Sequence, residues 1–258
     1  MKRLGAFFIL LPLALSAYPL GMTNVKLPSA LNPGALEFDF QHRFMGSVLD
    51  SPLETFFGLD IGSNTLLGLK YTIMPGLELG LSRTSYHAEY DADLSCSRFF
   101  PKLWLQARAG VEGFTYKPDT LRRWSVFPNV TLASGPLLER VIPSLTAGYD
   151  VDAGRMGVGA GLMVIFLKNV GRFEEIALLG EFYPYLGGQP LIPEERITGS
   201  FVAGIGGSTY GHQFMLTVSN STGIGTRNLE SGVRRFTDDA FPLSVGFSIR
   251  RLLARGRE

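Results

Sequence analysis

The feature that most constrains this chain is a two-residue alternation, clearest in the ten residues A-L-E-F-D-F-Q-H-R-F at 35–44. One parity carries Leu36, Phe38, Phe40, His42 and Phe44; the other carries Ala35, Glu37, Asp39, Gln41 and Arg43. Successive strand residues point to opposite faces, so the segment reads as a strand with one aromatic and one charged face. Two architectures accommodate it. A soluble sandwich or barrel turns the aromatic face inward. A transmembrane barrel turns it out to lipid and leaves the charges in the lumen.

The rest of the chain favours the second. Alternation or short apolar runs recur at 61–73, 77–82, 90–100, 103–112, 124–132, 141–149, 156–167, 176–183, 201–205, 212–219 and 245–249. That makes about twelve strands, an even number as in single-chain outer-membrane barrels. No amphipathic helical period and no internal repeat interrupts them. The joins at 74–76, 101–102 and 206–211 are short, whereas those after the first, fifth, ninth and eleventh strands are longer; the third and seventh follow the pattern less closely. Outer-membrane barrels have short periplasmic turns and long outer loops. The 31 glycines and 19 phenylalanines, with only 18% charged residues, suit short strands and tight turns. The predicted fold is an all-β, up-and-down antiparallel transmembrane β-barrel with both termini periplasmic.

The N-terminus reads as a secretory signal peptide. Lys2 and Arg3 precede the apolar run 4–15, and Ala14, Ser16 and Ala17 offer a small-residue cleavage site. The run is shorter than the roughly 20 residues a spanning helix needs. The expected organisation is a signal peptide at 1–17, a periplasmic lead-in at 18–34, the barrel at 35–251 and a periplasmic basic tail at 252–258. Cys96 is the single cysteine, so no intrachain disulfide forms. It reads as a small buried or lipid-facing residue. A net charge of +1 gives no electrostatic reason to expect nucleic acid.

Several words resemble an uncharacterised outer-membrane barrel family, a domain of unknown function. They are F-Q-H-R-F at 40–44, with His42 and Arg43; F-G-L-D at 57–60, with Gly58 and Asp60; G-H-Q-F at 211–214, with Gly211 and His212; S-N-S at 219–221, with Asn220; and G-F-S-I-R at 246–250, ending on Arg250. The resemblance implies a secreted barrel inserted in the outer membrane, with the lipid bilayer and the outer-membrane assembly machinery as partners. It carries no substrate or catalytic residue to transfer. One departure is the run R-R-L-L-A-R-G-R-E after Phe247 and Ile249, where many such barrels end on an aromatic residue.

The chemistry-bearing residues weigh against an enzyme. His42 and His212 fall on the apolar parity near strand ends at opposite rims, where an imidazole snorkels its polar edge toward water. His212, Ser219 and Asn220 are similar in type to the residues of outer-membrane phospholipases, but His212 and Ser219 have opposite parity and stand more than ~20 Å apart along a strand. Gly157, Gly159 and Gly161 recur every second residue with no following G-K-S/T, which points to close packing or strand curvature rather than a phosphate loop. The lumen-parity residues Glu37, Asp39, Arg43, Lys70, Glu78, Arg108, Glu112 and Glu181 have mixed sign. They either line a pore for an unidentified solute or pair across a narrow barrel and plug it.

The sequence therefore predicts a barrel without catalytic machinery, cofactor or metal, either a small pore or a structural or binding barrel. One alternative is a secreted soluble β-protein holding an apolar ligand among Leu36, Phe38 and Phe40. The other is a lipid-active outer-membrane hydrolase. The facing prediction is testable at one pair of neighbours: Leu216→Arg meets lipid, whereas Thr217→Arg enters the lumen and is milder.

Overall fold

Strands of this composition cannot satisfy their backbone in isolation, and here they do so by closing on themselves. The computed structural model describes residues 20–29, 31–117, 121–187, 195–236 and 242–256, with Glu195 and residues 234–236 as backbone only. The expected signal peptide lies outside the described residues. In chain order the strands are β1 (Ala35–Phe44), β2 (Ser63–Met74), β3 (Leu77–Thr84), β4 (Tyr90–Phe100), β5 (Leu105–Tyr116), β6 (Arg123–Ser134), β7 (Val141–Asp150), β8 (Arg155–Val170), β9 (Phe173–Tyr183), β10 (Glu195–Thr198), β11 (Ser200–Thr209), β12 (His212–Ser219), β13 (Val233–Phe236) and β14 (Ser244–Arg255), with one short helix, α1 (Thr226–Glu230), before β13.

Twelve of these form a closed barrel, in the order β1-β14-β12-β11-β9-β8-β7-β6-β5-β4-β3-β2. Every neighbouring pair is antiparallel, and β1 closes the barrel on β14 from Ala35↔Arg255 to Arg43↔Gly246. The basic run expected as a tail is thus strand as far as Arg255. The remaining two strands, β10 and β13, pair only with each other, inside the long joins that flank β11 and β12. Sequence reasoning reads those joins as loops because neither four-residue strand is long enough to show a period.

Two local features shape the wall. Met74-Pro75-Gly76 turns tightly because Gly76 adopts φ +77 and its α-carbon lies against the Ser97 carbonyl. Pro128 sits within β6 yet costs no ladder bond, because the β6–β7 pairing runs only from Asn129 to Ala133.

The side chains alternate as a membrane barrel requires. On β12, Phe214, Leu216 and Val218 are 44%, 57% and 37% exposed, while Gln213, Met215, Thr217 and Ser219 face the lumen at 3% or less. Leu67, Leu69, Leu81, Leu94, Val111, Leu145, Leu162, Leu178 and Phe182 extend the exposed apolar surface around the barrel. Such a surface is stable in hydrocarbon and not in water.

The interior is divided. Inward positions of β1 to β6 and β14 are predominantly polar or charged. Those of β8, β9, β11 and β12 supply Met163, Ile165, Ala177, Leu179, Val202 and Met215 to a buried apolar cluster. The cluster is completed by residues from outside the wall: Leu20, Met22 and Val25 from the N-terminal segment, and Leu229 from α1. Strands apolar on both faces need lipid on one side and a protein cover on the other. Residues 20–27 supply that cover. The lead-in expected in the periplasm is therefore a strap inside the barrel.

Candidate functional site

The site is the lumen, built by three layers: the wall, the strap, and the loop 220–232 that carries α1. The strap is anchored first by burial. Leu20, Met22 and Val25 are each 3% exposed or less, an apolar contribution of about 1.5–3 kcal/mol apiece as an upper estimate. Gly161 on β8 leaves room for the strap, as Gly159 does for Tyr183 and Gly157 for α1. A Cβ on Gly161 would meet Ser144 Oγ and Met22 Cε, one on Gly159 would enter the Tyr183 ring, and one on Gly157 would overlap the Glu230 carboxylate. The alternating glycines are a seat for what fills the lumen.

Polar contacts fix the strap's register. Glu181, on β9, accepts from Asn24 N at 2.8 Å, from Asn24 Nδ2 at 2.7 Å and from Val25 N at 3.3 Å. The Thr23 carbonyl accepts from Gln41 Nε2 at 3.2 Å and Arg250 Nη2 at 3.0 Å, and Gly21 N donates to Gln213 Oε1 at 3.1 Å. Most of these bonds read the main chain. Lys26 adds a charge contact, with Nζ 2.7 Å from Glu112 and 3.5 Å from Asp93.

The wall charges pair with neighbours rather than across the lumen. Lys70 lies 3.2 Å from Glu37, its register partner, and 3.8 Å from Glu78 on the next strand. Arg108 reaches Asp93 at 2.6 Å and donates to Asn129 at 2.6 Å. Arg250 lies 3.3 Å from Asp39, its partner across the β1–β14 seam. Arg43, 2% exposed, donates to the carbonyls of Ser221 and Gly223. Burying a charge is tolerated when it is paired and hydrogen-bonded, and adjacent strands provide that at little cost in order.

The outer end of the lumen is filled by the loop 220–232. Arg227, 8% exposed, ion-pairs with Glu89 and lies 3.5 Å from Asp150, with its guanidinium 3.8 Å from the Phe114 ring centroid. Asn228 also donates to Glu89. Glu230 is 5% exposed and neither carboxylate oxygen has a hydrogen-bond partner among the described residues. Burial, with Asp150 and Glu112 adding to it against an opposing Arg155, pushes its carboxyl up to about 8. Between strap and wall lies a cavity of about 420 Å³, lined by Glu37, Asp39, Lys70, Asp91, Asp93 and Arg108 and extending to Pro136, Glu139 and Lys168 at the short-turn rim.

Of the residues singled out from sequence, Glu37, Asp39, Arg43, Lys70, Glu78, Arg108, Glu112 and Glu181 all face this interior. His42 and His212 are on the outer parity near opposite ends of the barrel, stacked on Phe247 and Phe214 at 5.2 and 5.9 Å. Gly58, at φ +78, lies backbone to backbone against Gly46, and Asp60 is exposed in the same first outer loop. Asn220 clamps the join before β11, accepting from Phe201 N at 2.7 Å and donating to the Gly199 carbonyl at 2.9 Å. Gly211 accepts from Leu252 N at 2.9 Å. Cys96 is exposed on the outer face of β4. Sequence reasoning missed Asn24, Lys26, Asp93, Glu89 and Arg227, and placed Gln41 on the lumen parity without a partner. The available signal was that 156–167 is apolar or glycine-rich on both parities, which an empty wet lumen would not tolerate.

With this geometry in hand, comparison with known proteins finds likenesses to membrane barrels. Residues 22–99 match the model of a family described as a membrane-bound beta barrel domain, DUF5777. No curated protein matches. Among solved structures, the chain is similar to the NanC porin, at 10% identity with a TM-score of 0.52 over 85% of this chain and 100% of that one. It is also similar to outer membrane phospholipase A from Escherichia coli, at 12% identity with a TM-score of 0.44 over 88% and 93%. The porin likeness is one of fold. The matched family segment contains the strap from Met22 onward and β1 to most of β4.

Proposed function

We propose that this chain is a bacterial outer-membrane barrel whose lumen is closed at rest by its own N-terminal segment, a gated pore rather than a constitutively open one. Secretion with removal of residues 1–17 and insertion by the outer-membrane assembly machinery belong to this reading. The observation that carries it is the docking of Asn24 on Glu181 and of Lys26 on Glu112, polar and therefore reversible, over a cavity already lined by charges. Once the strap leaves, Glu37, Asp39, Lys70, Arg108 and Glu112 line the path. Their mixed sign favours weak ion selectivity. The reading includes no catalysis: His212 and Ser219 stand at opposite ends of β12, one facing out and the other in.

Planar-bilayer recording tests it. The full-length mature protein is expected to be silent, and a variant lacking residues 20–29 to give discrete, reproducible steps. Conductance by the full-length protein overturns the closure, and silence from an inserted, folded deletion variant overturns the pore.

A further inference from the structure

The strap and the outer loop fill the lumen from opposite sides, and the hydrogen bonds between them converge on one residue. Asn24 uses all four of its polar groups. Its main-chain N–H and its Nδ2 go to the two oxygens of Glu181, at 2.8 and 2.7 Å. Its Oδ1 accepts from Gly225 N at 3.0 Å, and its carbonyl accepts from Thr226 Oγ1 at 2.8 Å. The first pair holds the strap to the wall, and the second holds the loop to the strap. Asparagine suits this position because one side chain supplies both a donor and an acceptor. An aspartate would set a carboxylate against Glu181, and an alanine would supply neither group.

The apolar contacts follow the same division. Leu229 of α1 is fully buried in the cluster that contains Met22 and Val25, so this apolar anchor of the loop loses part of its cover when the strap leaves. Other anchors of the loop lie on the barrel: Arg227 on Glu89, Asp150 and Phe114, the Ser221 and Gly223 carbonyls on Arg43, and the Thr222 carbonyl on Asn64.

We infer that the barrel interior contains a peptide-binding site occupied in cis by residues 20–26, read largely through their main chain, and that Asn24 couples its occupancy to the seating of the outer loop. Withdrawal of the strap on the short-turn side then releases α1 on the opposite side, and loss of α1 loosens the strap. This deepens the gated-pore reading and rests on the strap's closing role. Its test is read by proteolysis rather than current, so either can fail alone.

Coupling between two sites is reciprocal and commonly amounts to ~5- to 150-fold, which sets the expectation. Purified full-length protein in detergent is treated with trypsin, and cuts after Arg227 and after Lys26 are followed by mass spectrometry. The mobility of the unheated protein on a gel serves as the check that the barrel is closed. In the native protein Arg227 is buried and its cut is slow. Asn24→Ala is expected to accelerate the Arg227 cut on the order of tenfold. Thr226→Val, which leaves the strap sequence intact, is expected to accelerate the Lys26 cut. Faster cutting at Lys26 in Asn24→Ala with Arg227 at its native rate would overturn the coupling while leaving the gated pore standing. So would Thr226→Val that frees Arg227 but leaves Lys26 protected. If Asn24→Ala does not assemble, the Thr226→Val result decides alone.

Discussion

At Leu216 and Thr217 the two sides of the wall are adjacent residues. Leu216 is 57% exposed on the outer face and Thr217 is 3% exposed inside. Leu216→Arg is expected to cost ~2–4 kcal/mol in reversible urea unfolding from vesicles, the price of a guanidinium in the hydrocarbon layer. Thr217→Arg is expected to be milder but not without cost, because Thr217 packs against Gly204 and Gly246 rather than open water. Overpacking there is expected to cost about 1–3 kcal/mol, and a Thr217→Arg variant as stable as the native protein would show the lumen to be empty. The direction in which each side chain points was legible in the sequence, since it follows from a period of two. The occupant of the space it points into was not, because residues 20–29 carry no period that ties them to β9.

At the scale of elements, the seated outer loop buries a group that titrates. The Glu230 carboxyl is pushed from 4.5 up to about 8 by burial, so the seated loop binds a proton that the released loop gives up. Seating is therefore strongest at low pH, weakens as pH rises from 4.5 toward about 8, and is not weakened further above that. Tryptic cleavage after Arg227, normalised to cleavage of an unstructured reference peptide, is expected to be faster at pH 8.5 than at pH 6. Glu230→Gln is expected to flatten that dependence, and a profile unchanged in that variant would assign the effect elsewhere. Neither α1 nor the β10–β13 pair announced itself in sequence: a five-residue helix and two four-residue strands lie below the length at which periodicity distinguishes anything.

For the molecule as a whole, the strap makes the barrel a filled object rather than a hollow one. Exchange of backbone amides should show it. Residues 20–25, although not a strand, are expected to exchange on the slow timescale of β8 and β9, because opening them requires breaking the apolar cluster. The first outer loop, 45–62, with Leu53 87% exposed, is expected to exchange fast. Fast exchange at 20–25 in an otherwise protected barrel would remove the basis for closure at rest.

By itself the sequence determined that this chain forms a closed antiparallel barrel of about twelve strands with an apolar exterior and long joins gathered at one end. Alternation and turn chemistry are local properties, and each strand states its own. Only the tertiary structure decided that Glu37 pairs with Lys70 and Asp39 with Arg250, since register is a relation between strands. It also decided that the lumen is occupied, because its filling depends on three segments far apart in the chain converging on Asn24, where hydrogen bonds join residues 157 and 202 positions away. Such contacts are specified by shape and by unsatisfied polar groups that exist only once the wall has formed.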